Sequence, residues 1–312
     1  MTEQASPASW LSRKQSRVVV IGDALIDEIR EEGVSREFVG GAGLNVAIGL
    51  SKLGTDTTLL AMVGNDADGE KIRAALERYD VQLIASPGRD GTSRAVSSRI
   101  SGEPVYTFNE AAKRRRIRFA DEERTAIQGA AAVVVSCFPF DDQAQLDGLA
   151  DSITASGAPL LIDPNPRRGM LNDRAAFVRN FERLAARSRL VKIGEDDADL
   201  LYGEPVERSS TRMLAAGAAA VLTTLGSRGA SLATRDGITV AAPIARLPEP
   251  IIDTMGAGDA TLASIANSLT TAGTPDDATG WKAIVTRAME AAATTCRHEG
   301  GQLRLPTTIE HG

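Results

Sequence analysis

Apolar residues along the chain repeat with two alternating periods. Arg17 to Gly22 (RVVVIG) is a β-branched run closed by glycine, the pattern of a strand buried on both faces. Val46, Leu50 and Leu53 then recur four and three apart, which marks one face of a helix. Thr57 to Gly64 (TTLLAMVG) predicts a second strand, and Ile72, Ala75, Leu76 and Tyr79 a second helical face. The alternation resumes with AAVVVSC ending at Cys137, a helix near 142–156, PLLID ending at Asp163, a helix near 174–187, LVKI and a short helix around Leu200. AAVLTTL and a hairpin through GASLAT and GITVAA follow. The last part is helical: Leu262, Ile265, Ala266 and Leu269, then Trp281, Ile284, Val285 and Ala288, keep the i, i+3, i+4, i+7 spacing. Repeated units of this kind predict an α/β fold with a mainly parallel sheet, helices on both faces, and ligands beyond the carboxyl ends of the strands.

Two segments break the pattern. Ala24 to Gly40 and Arg94 to Arg118 are richer in charge and contain short alternating pieces such as AVSSRI and PVYTF. Both start at the carboxyl end of an early strand–helix unit, so they predict a small β-sheet over the cleft, with lid segments near 24–40 and 94–118. No Pro/Ser-rich linker divides the rest, and residues 17–312 read as a single domain behind a loose tail, residues 1–16. That tail lacks the basic start and apolar stretch of a secretory leader. No run of 18 apolar residues appears, and the expected location is cytoplasmic.

Composition narrows the chemistry. Lys and Arg total 35 against 41 Asp and Glu, a net charge of −6. That balance argues against a general nucleic-acid binder, so a phosphorylated ligand must be held by local donors. Two cysteines (Cys137, Cys296) and two histidines (His298, His311) cannot form a metal cage or a disulfide framework, and the cysteines sit in apolar company as buried thiols. There is no GxSxG elbow, no Walker A loop, and no complete GxGxxG fingerprint.

The most informative stretch is Asp253-Thr254-Met255-Gly256-Ala257-Gly258-Asp259, directly before the amphipathic helix Ala260 to Leu269. Small residues ahead of a helix let backbone N–H groups approach an anion, and the helix N-terminus adds partial positive charge. A carboxylate there would repel the phosphate that the loop invites. The conflict resolves if Asp259 is a general base that takes a hydroxyl proton while the Gly256, Ala257 and Gly258 amides stabilise a transferring phosphoryl group. The alternative is an ordinary helix N-cap with glycines serving a tight turn.

With GGAGLNVA (Gly40 to Ala47), then Gly54 and Gly64, the chain resembles the N-terminal signature of the ribokinase-like (PfkB) sugar kinases. DTMGAGD resembles their C-terminal signature, whose final Asp is the family's catalytic base. The likeness runs from about Val18 to Pro306, with the two motifs over 200 residues apart in the family's order. It implies a ribokinase-like fold and an ATP-dependent phosphotransferase that uses Mg2+, with K+ as a further cation. Its partners would be a small sugar and ATP, with no nucleic acid and no membrane. It also implies roles residue by residue. Asp27, with Gly22, matches the Gly-x-x-x-x-Asp whose carboxylate grips sugar hydroxyls, and Asn45 pairs with it, since polyols need both acceptors and donors. Gly41 lets backbone approach the sugar. Asp23 is either a second sugar carboxylate or a strand-end cap. Thr224-Leu225-Gly226-Ser227-Arg228-Gly229 resembles the nucleotide segment, with Thr224, Gly226 and Gly229 at the nucleotide and Lys192 counted with them; its alternative is a plain turn into the hairpin. Asp253 resembles the monovalent-cation ligand.

Departures from the family are few. Its Asn-x-x-Glu corresponds to Gly194-Glu195-Asp196-Asp197, where Asp197 keeps a carboxylate for magnesium. Thr261 and Ser264 stand where Phe and Gly are commoner. GDALIDEI, DPNPRR and KIGEDDADLLYG look like the fructokinase and 2-keto-3-deoxygluconate kinase branch, which makes a ketohexose such as fructose the expected substrate. A 2-keto-3-deoxygluconate or ribose kinase, a nucleoside kinase, and a sugar-sensing protein that has lost turnover are the alternatives. In that branch Arg167 lies near substrate or phosphate, and Asn109 would face the sugar from the lid. The run Lys113, Arg114, Arg115, Arg116 and Arg118 is either a solvated loop or a reader of an anionic sugar. By analogy, lid strands pair with a second copy, giving a homodimer.

Overall fold

A computed structural model describes residues 17–31, 34–100 and 103–305. The expected tail and His311 lie outside the described residues. Strand β1 (Val18–Gly22) leads into β2 (Leu25–Glu31), β3 (Val34–Gly40) and helix α1 (Ala42–Lys52). Then come β4 (Thr57–Val63), α2 (Ala67–Arg78), β5 (Val81–Pro87), β6 (Ser93–Ile100) and β7 (Glu103–Phe108). The middle of the chain holds α3 (Glu110–Lys113), α4 (Asp121–Gln128), β8 (Ala132–Ser136), α5 (Gln143–Ser156), β9 (Leu160–Asp163) and α6 (Arg174–Ala185). The rest comprises β10 (Leu190–Gly194), α7 (Glu195–Tyr202), α8 (Val206–Ala216), β11 (Ala220–Thr224), β12 (Ala230–Thr234), β13 (Thr239–Ala242), α9 (Ala257–Ala272) and α10 (Ala278–Thr295).

Nine strands form one sheet in the order β13-β12-β11-β10-β9-β8-β1-β4-β5. All neighbours pair in parallel except the β11-β12-β13 hairpins. Successive residues of β1 feed opposite layers: Val18 and Val20 belong to one apolar core, Val19 and Ile21 to the other. A strand covered on both sides has no polar face to keep, which is why its sequence is an unbroken apolar run. Among the described residues, no helix is long and apolar enough to cross a membrane.

The two irregular segments form the expected second sheet, of four strands in the order β3-β2-β6-β7. Arg94 on β6 fastens it to the body. Its guanidinium donates to Glu28 of β2 (2.9 Å), Glu37 of β3 (2.7 Å) and Asp68 in the first turn of α2 (2.6 Å), while Lys71 of α2 donates to Glu37 (2.7 Å). The sheet ends at Phe108; residues 110–113 turn into a short helix, and 114–118 have no regular structure.

Three elements escape the sequence pattern. Strand β5 is the edge of the main sheet and buries only Val81, Ile84 and Ser86, with no regular alternation. Helix α4 buries only Glu123 and Ile127. Helix α8 turns Val206, Ser209, Ser210 and Met213 inward, so half of its buried stripe is serine and its apolar period is incomplete.

Candidate active site

The carboxyl ends of β1, β9 and β10 converge with the N-termini of α1 and α9. Helix α9 begins at Ala257, capped by Gly256 in the left-handed region (φ 75°). Asp259 is therefore the third residue of the helix, not its cap. It is 7% exposed, and its Oδ2 accepts a hydrogen bond from Asn45 Nδ2 at 2.9 Å. This removes the N-cap alternative, since no backbone N–H of the first turn donates to that carboxylate. Burial pushes Asp259 up to about 6; Asp163 adds to the rise, while Asn45, Lys192 and Arg167 oppose it.

Asn45 spends its amide N–H on Asp259 and leaves its carbonyl Oδ1 buried without a partner. Such an orphan costs roughly 1–3 kcal/mol, and it marks a place where an incoming hydroxyl can donate. Gly301 backs this arrangement: a Cβ there would lie 2.5 Å from Asn45 Nδ2, and one at Gly256 would collide with the Gly301 carbonyl. The Gly256 contact is with backbone and admits no side chain, whereas the Gly301 contact is with the end of the Asn45 side chain, which would have to move.

Asp27 sits third in β2 and faces the same space. Gly40, across the β2–β3 ladder, makes room for it, because a Cβ there would strike Asp27 Oδ2. Burial, with Asp23 next, pushes Asp27 up to about 7 against the pull of Arg167. Arg167 keeps contact with solvent; the partial desolvation of its guanidinium works against its charge, but Cys137, Asp259, Asp197 and Asp23 outweigh that and hold it above its ordinary range. A cation crowded by carboxylates yet open to solvent belongs to a cleft rather than a core. Asp23 behaves as the capping alternative requires. Its Oδ1 accepts from Gly43 N at 3.1 Å and its carbonyl from Leu44 N at 3.0 Å, tying the end of β1 to the start of α1. Gly41 (φ 103°) makes that turn.

On the other side, Lys192 Nζ donates to Asp163 Oδ2 at 2.7 Å, both groups buried. Burial opposes its charge, but Asp163 and Asp197 hold the lysine above its ordinary range. The ammonium lies beside the α9 N-terminus, 3.2 Å from where a Cβ of Gly258 would be. Sequence reasoning did not single out Asp163; its only signal was an acidic residue closing an apolar strand at the carboxyl edge. Its second oxygen, Oδ1, is buried and unpartnered. Asp197 Oδ2 accepts from Gly194 N (2.8 Å), and burial with Asp163 raises its affinity for a proton. A Cβ at Gly194 would approach both Asp197 Oδ2 and Thr224 Oγ1 at 3.2 Å, so glycine lets these two side chains converge.

Of the three amides expected to meet a phosphoryl group, Ala257 N–H already donates to Thr254 O at 3.3 Å. Those of Gly256 and Gly258 make no hydrogen bond among the described residues. Asp253 braces the loop: its carboxylate accepts from Met255 N (2.9 Å) and Gly300 N (3.2 Å). Thr261, behind the base, satisfies its hydroxyl on Ala257 O at 2.8 Å. Gly226 is exposed at the turn after β11, and Gly229 is held under the Ala242 carbonyl. Asn109 does not join the cluster. Its carbonyl oxygen accepts from Arg94 N and Ala112 N, and its amide donates to Thr92 O, so it caps α3 at the root of the lid. Within the basic run, Arg116 and Arg118 pair with Asp142 and Glu123, and Arg115 is buried on backbone carbonyls.

Six aspartates (23, 27, 163, 197, 253 and 259) thus share the site with two cations, Arg167 and Lys192. Such a surplus of carboxylate oxygen fits hard cations. Among the described residues, no three His, Cys, Asp or Glu side chains are grouped to hold a metal alone. Magnesium in this setting would arrive with nucleotide phosphates and keep most of its waters.

The sequence profile of the pfkB family of carbohydrate kinases matches residues 15–308. A fructokinase from Salmonella typhimurium is 28% identical over 310 residues, covering 93% of this chain and 96% of that protein. A fructokinase from Rhizobium leguminosarum bv. trifolii is 30% identical over 267 residues, covering 81% and 79%. Among solved structures, a double mutant of the Vibrio cholerae fructokinase with fructose, ADP and potassium ion bound superposes with a TM-score of 0.78 (21% identity, 92% of this chain and 94% of that one). A putative ribokinase II from E. coli in complex with ATP and Mg2+ gives 0.77 (18% identity, 92% and 94%). The chain belongs to the pfkB family of carbohydrate kinases, phosphotransferases with an alcohol group as acceptor.

Proposed function

We propose that this protein transfers the γ-phosphoryl group of ATP to the primary hydroxyl of a neutral ketohexose such as fructose, with Asp259 as general base. The observation that carries the reading is the buried Asn45–Asp259 bond beside two unspent glycine amides and the Lys192 ammonium. Together they offer a proton acceptor and an anion cradle within one cluster of side chains and amides. Asp27 and the free Asn45 Oδ1 accept sugar hydroxyls. Asp259 takes the proton of the attacking hydroxyl, whose oxygen bonds to the γ-phosphorus as the bond to ADP breaks. Gly256 and Gly258 N–H groups, with Lys192, stabilise the charge on the transferred group. Because such transition states are loose, positioning and charge stabilisation outweigh base strength. Magnesium, bound through the phosphates and through water to Asp197 or the free oxygen of Asp163, would neutralise the nucleotide's charge. Asp253 would serve a potassium ion that braces the loop.

A neutral acceptor is favoured because Arg94, on the lid strand beside β2, is already matched by three carboxylates. A second reading, 2-keto-3-deoxygluconate as acceptor, rests on Arg167, whose exposed fork suits a substrate carboxylate. The Bacillus subtilis 2-dehydro-3-deoxygluconokinase is 27% identical over 293 residues. The lid edges β3 and β7 carry exposed Val34 (61%) and Tyr106 (50%), which supports a homodimer through the lid.

ATP consumption with fructose, ribose, 2-keto-3-deoxygluconate and adenosine tests these readings. Turnover of fructose well above the others is expected. Sugar binding without turnover at any magnesium concentration would favour a sensor over a kinase.

A further inference from the structure

We propose that a groove outside the sugar site is a regulatory binding site for a small metabolite bearing a dianionic phosphate group. The groove, about 960 Å³, opens past the ends of β4 and β5 and the loop after β8. Arg89, Lys113, Arg114, Arg115, Arg116 and Arg118 line it against three aspartates, in a chain whose net charge is −6. None of Asp27, Asn45, Arg167 or Asp259 lines it. Its volume suits a metabolite rather than a macromolecule, and its local field draws anions that the rest of the surface repels.

Arg115 is the anchor. It is 8% exposed and has no carboxylate partner among the described residues. Nε donates to Cys137 O at 3.2 Å and Nη1 to Ala112 O at 3.4 Å, which leaves guanidinium donors unspent. A buried guanidinium without a counter-charge is costly, and a phosphate would supply that charge through charge-assisted, fork-shaped bonds. Around it, Arg89 is exposed and makes no ion pair or hydrogen bond among the described residues, and Arg114, 68% exposed, has only long contacts, to Glu110 at 3.5 Å and Asp90 at 3.7 Å.

The same anchor leads to the sugar site. Arg115 also lines a small cavity with Asp23. It holds the carbonyl of Cys137, a residue in the left-handed region (φ 53°) whose thiol neighbours the Asp23 carboxylate. Asp23 caps α1, the helix that carries Asn45. Occupancy of the groove therefore bears on Asn45 through three contacts.

The test is calorimetric binding of inorganic phosphate and, separately, fructose 6-phosphate to the full chain and to Arg89→Ala/Arg116→Ala, which keeps Arg115. One saturable equivalent is expected, weakened at least tenfold in the double variant and not displaced by ADP. Tighter binding of fructose 6-phosphate identifies a phosphate ester as occupant, and equal affinities identify free phosphate. Absence of saturable binding, undiminished binding in the double variant, or displacement by ADP overturns the site. In steady-state assays the bound ligand should shift the sugar KM at least twofold in the wild type only; an unmoved KM overturns the regulatory role. The binding arm needs no turnover, so its failure is distinct from failure of the kinase reading.

Discussion

Asn45 Nδ2 and Asp259 Oδ2 meet at 2.9 Å although 214 positions separate them in the chain. The bond pulls the carboxyl toward ionisation while burial pushes it the other way. Since a general base must be unprotonated, kcat/KM should rise through a limb near pH 6 set by Asp259, below the one that Asp27 adds near 7. Asn45→Ala should move that limb upward by about one unit, since a lost hydrogen bond of ~1 kcal/mol corresponds to slightly less than one unit. A pH–rate profile of the variant with its limb unmoved would separate Asn45 from the base.

Asp259→Asn should lower kcat by ~10²–10⁴ with little change in sugar affinity. It should also make the protein more stable in alkali. The folded state holds this proton up to about pH 6, the unfolded chain only to 3.8. Stability from this group is complete below 3.8 and is lost as the pH rises through 6. Urea unfolding should find the Asn variant more stable by about 1–3 kcal/mol at pH 8 and equal to wild type near pH 4.

Asp27, held near pH 7, is part-protonated in the empty site at neutral pH. Hydroxyls donating to it favour the ionised form, so sugar binding should release a fraction of a proton between pH 6 and 7.5. Calorimetry in two buffers of different ionisation enthalpy measures this release. Asp27→Asn should abolish it and raise the sugar KM.

Gly301→Ala puts a methyl 2.5 Å from Asn45 Nδ2. The amide must swing away from Asp259, and a displacement of about 1 Å at a reacting group costs up to ~10²-fold in kcat. Stability should change little by comparison, because Asn45 can give way. Wild-type kcat in the alanine variant would remove Gly301 from the site's support.

The Lys192–Asp163 pair is buried, so removing one partner strands the other. Lys192→Ala and Asp163→Ala should each cost ~3–5 kcal/mol. The double variant should recover part of that loss, read as a coupling energy in a double-mutant cycle by urea unfolding.

How much the sequence disclosed follows from what each feature depends on. Strand β1 was legible because burial on two faces leaves an unbroken apolar run, and the loop before α9 because its glycines stand directly ahead of an amphipathic helix. The turn chemistry of Asn109 was not, since an asparagine that caps a helix and one that faces a sugar look alike until the fold sets its neighbours. Asp163 was hidden for a related reason: its meaning lies in Lys192, which comes from another strand. Helix α8 escaped because serine fills half of its inward stripe.

Asp27 belongs to the four-stranded sheet, whereas Asn45 and Asp259 belong to the body. In the proposed reaction, an acceptor must touch both halves of the molecule to be held in line. A polyol offers several oxygens to that divide, a water only one. In that reaction the seam between the two sheets would act as a ruler for acceptor length, a safeguard against squandering nucleotide that resides in architecture rather than in any one side chain.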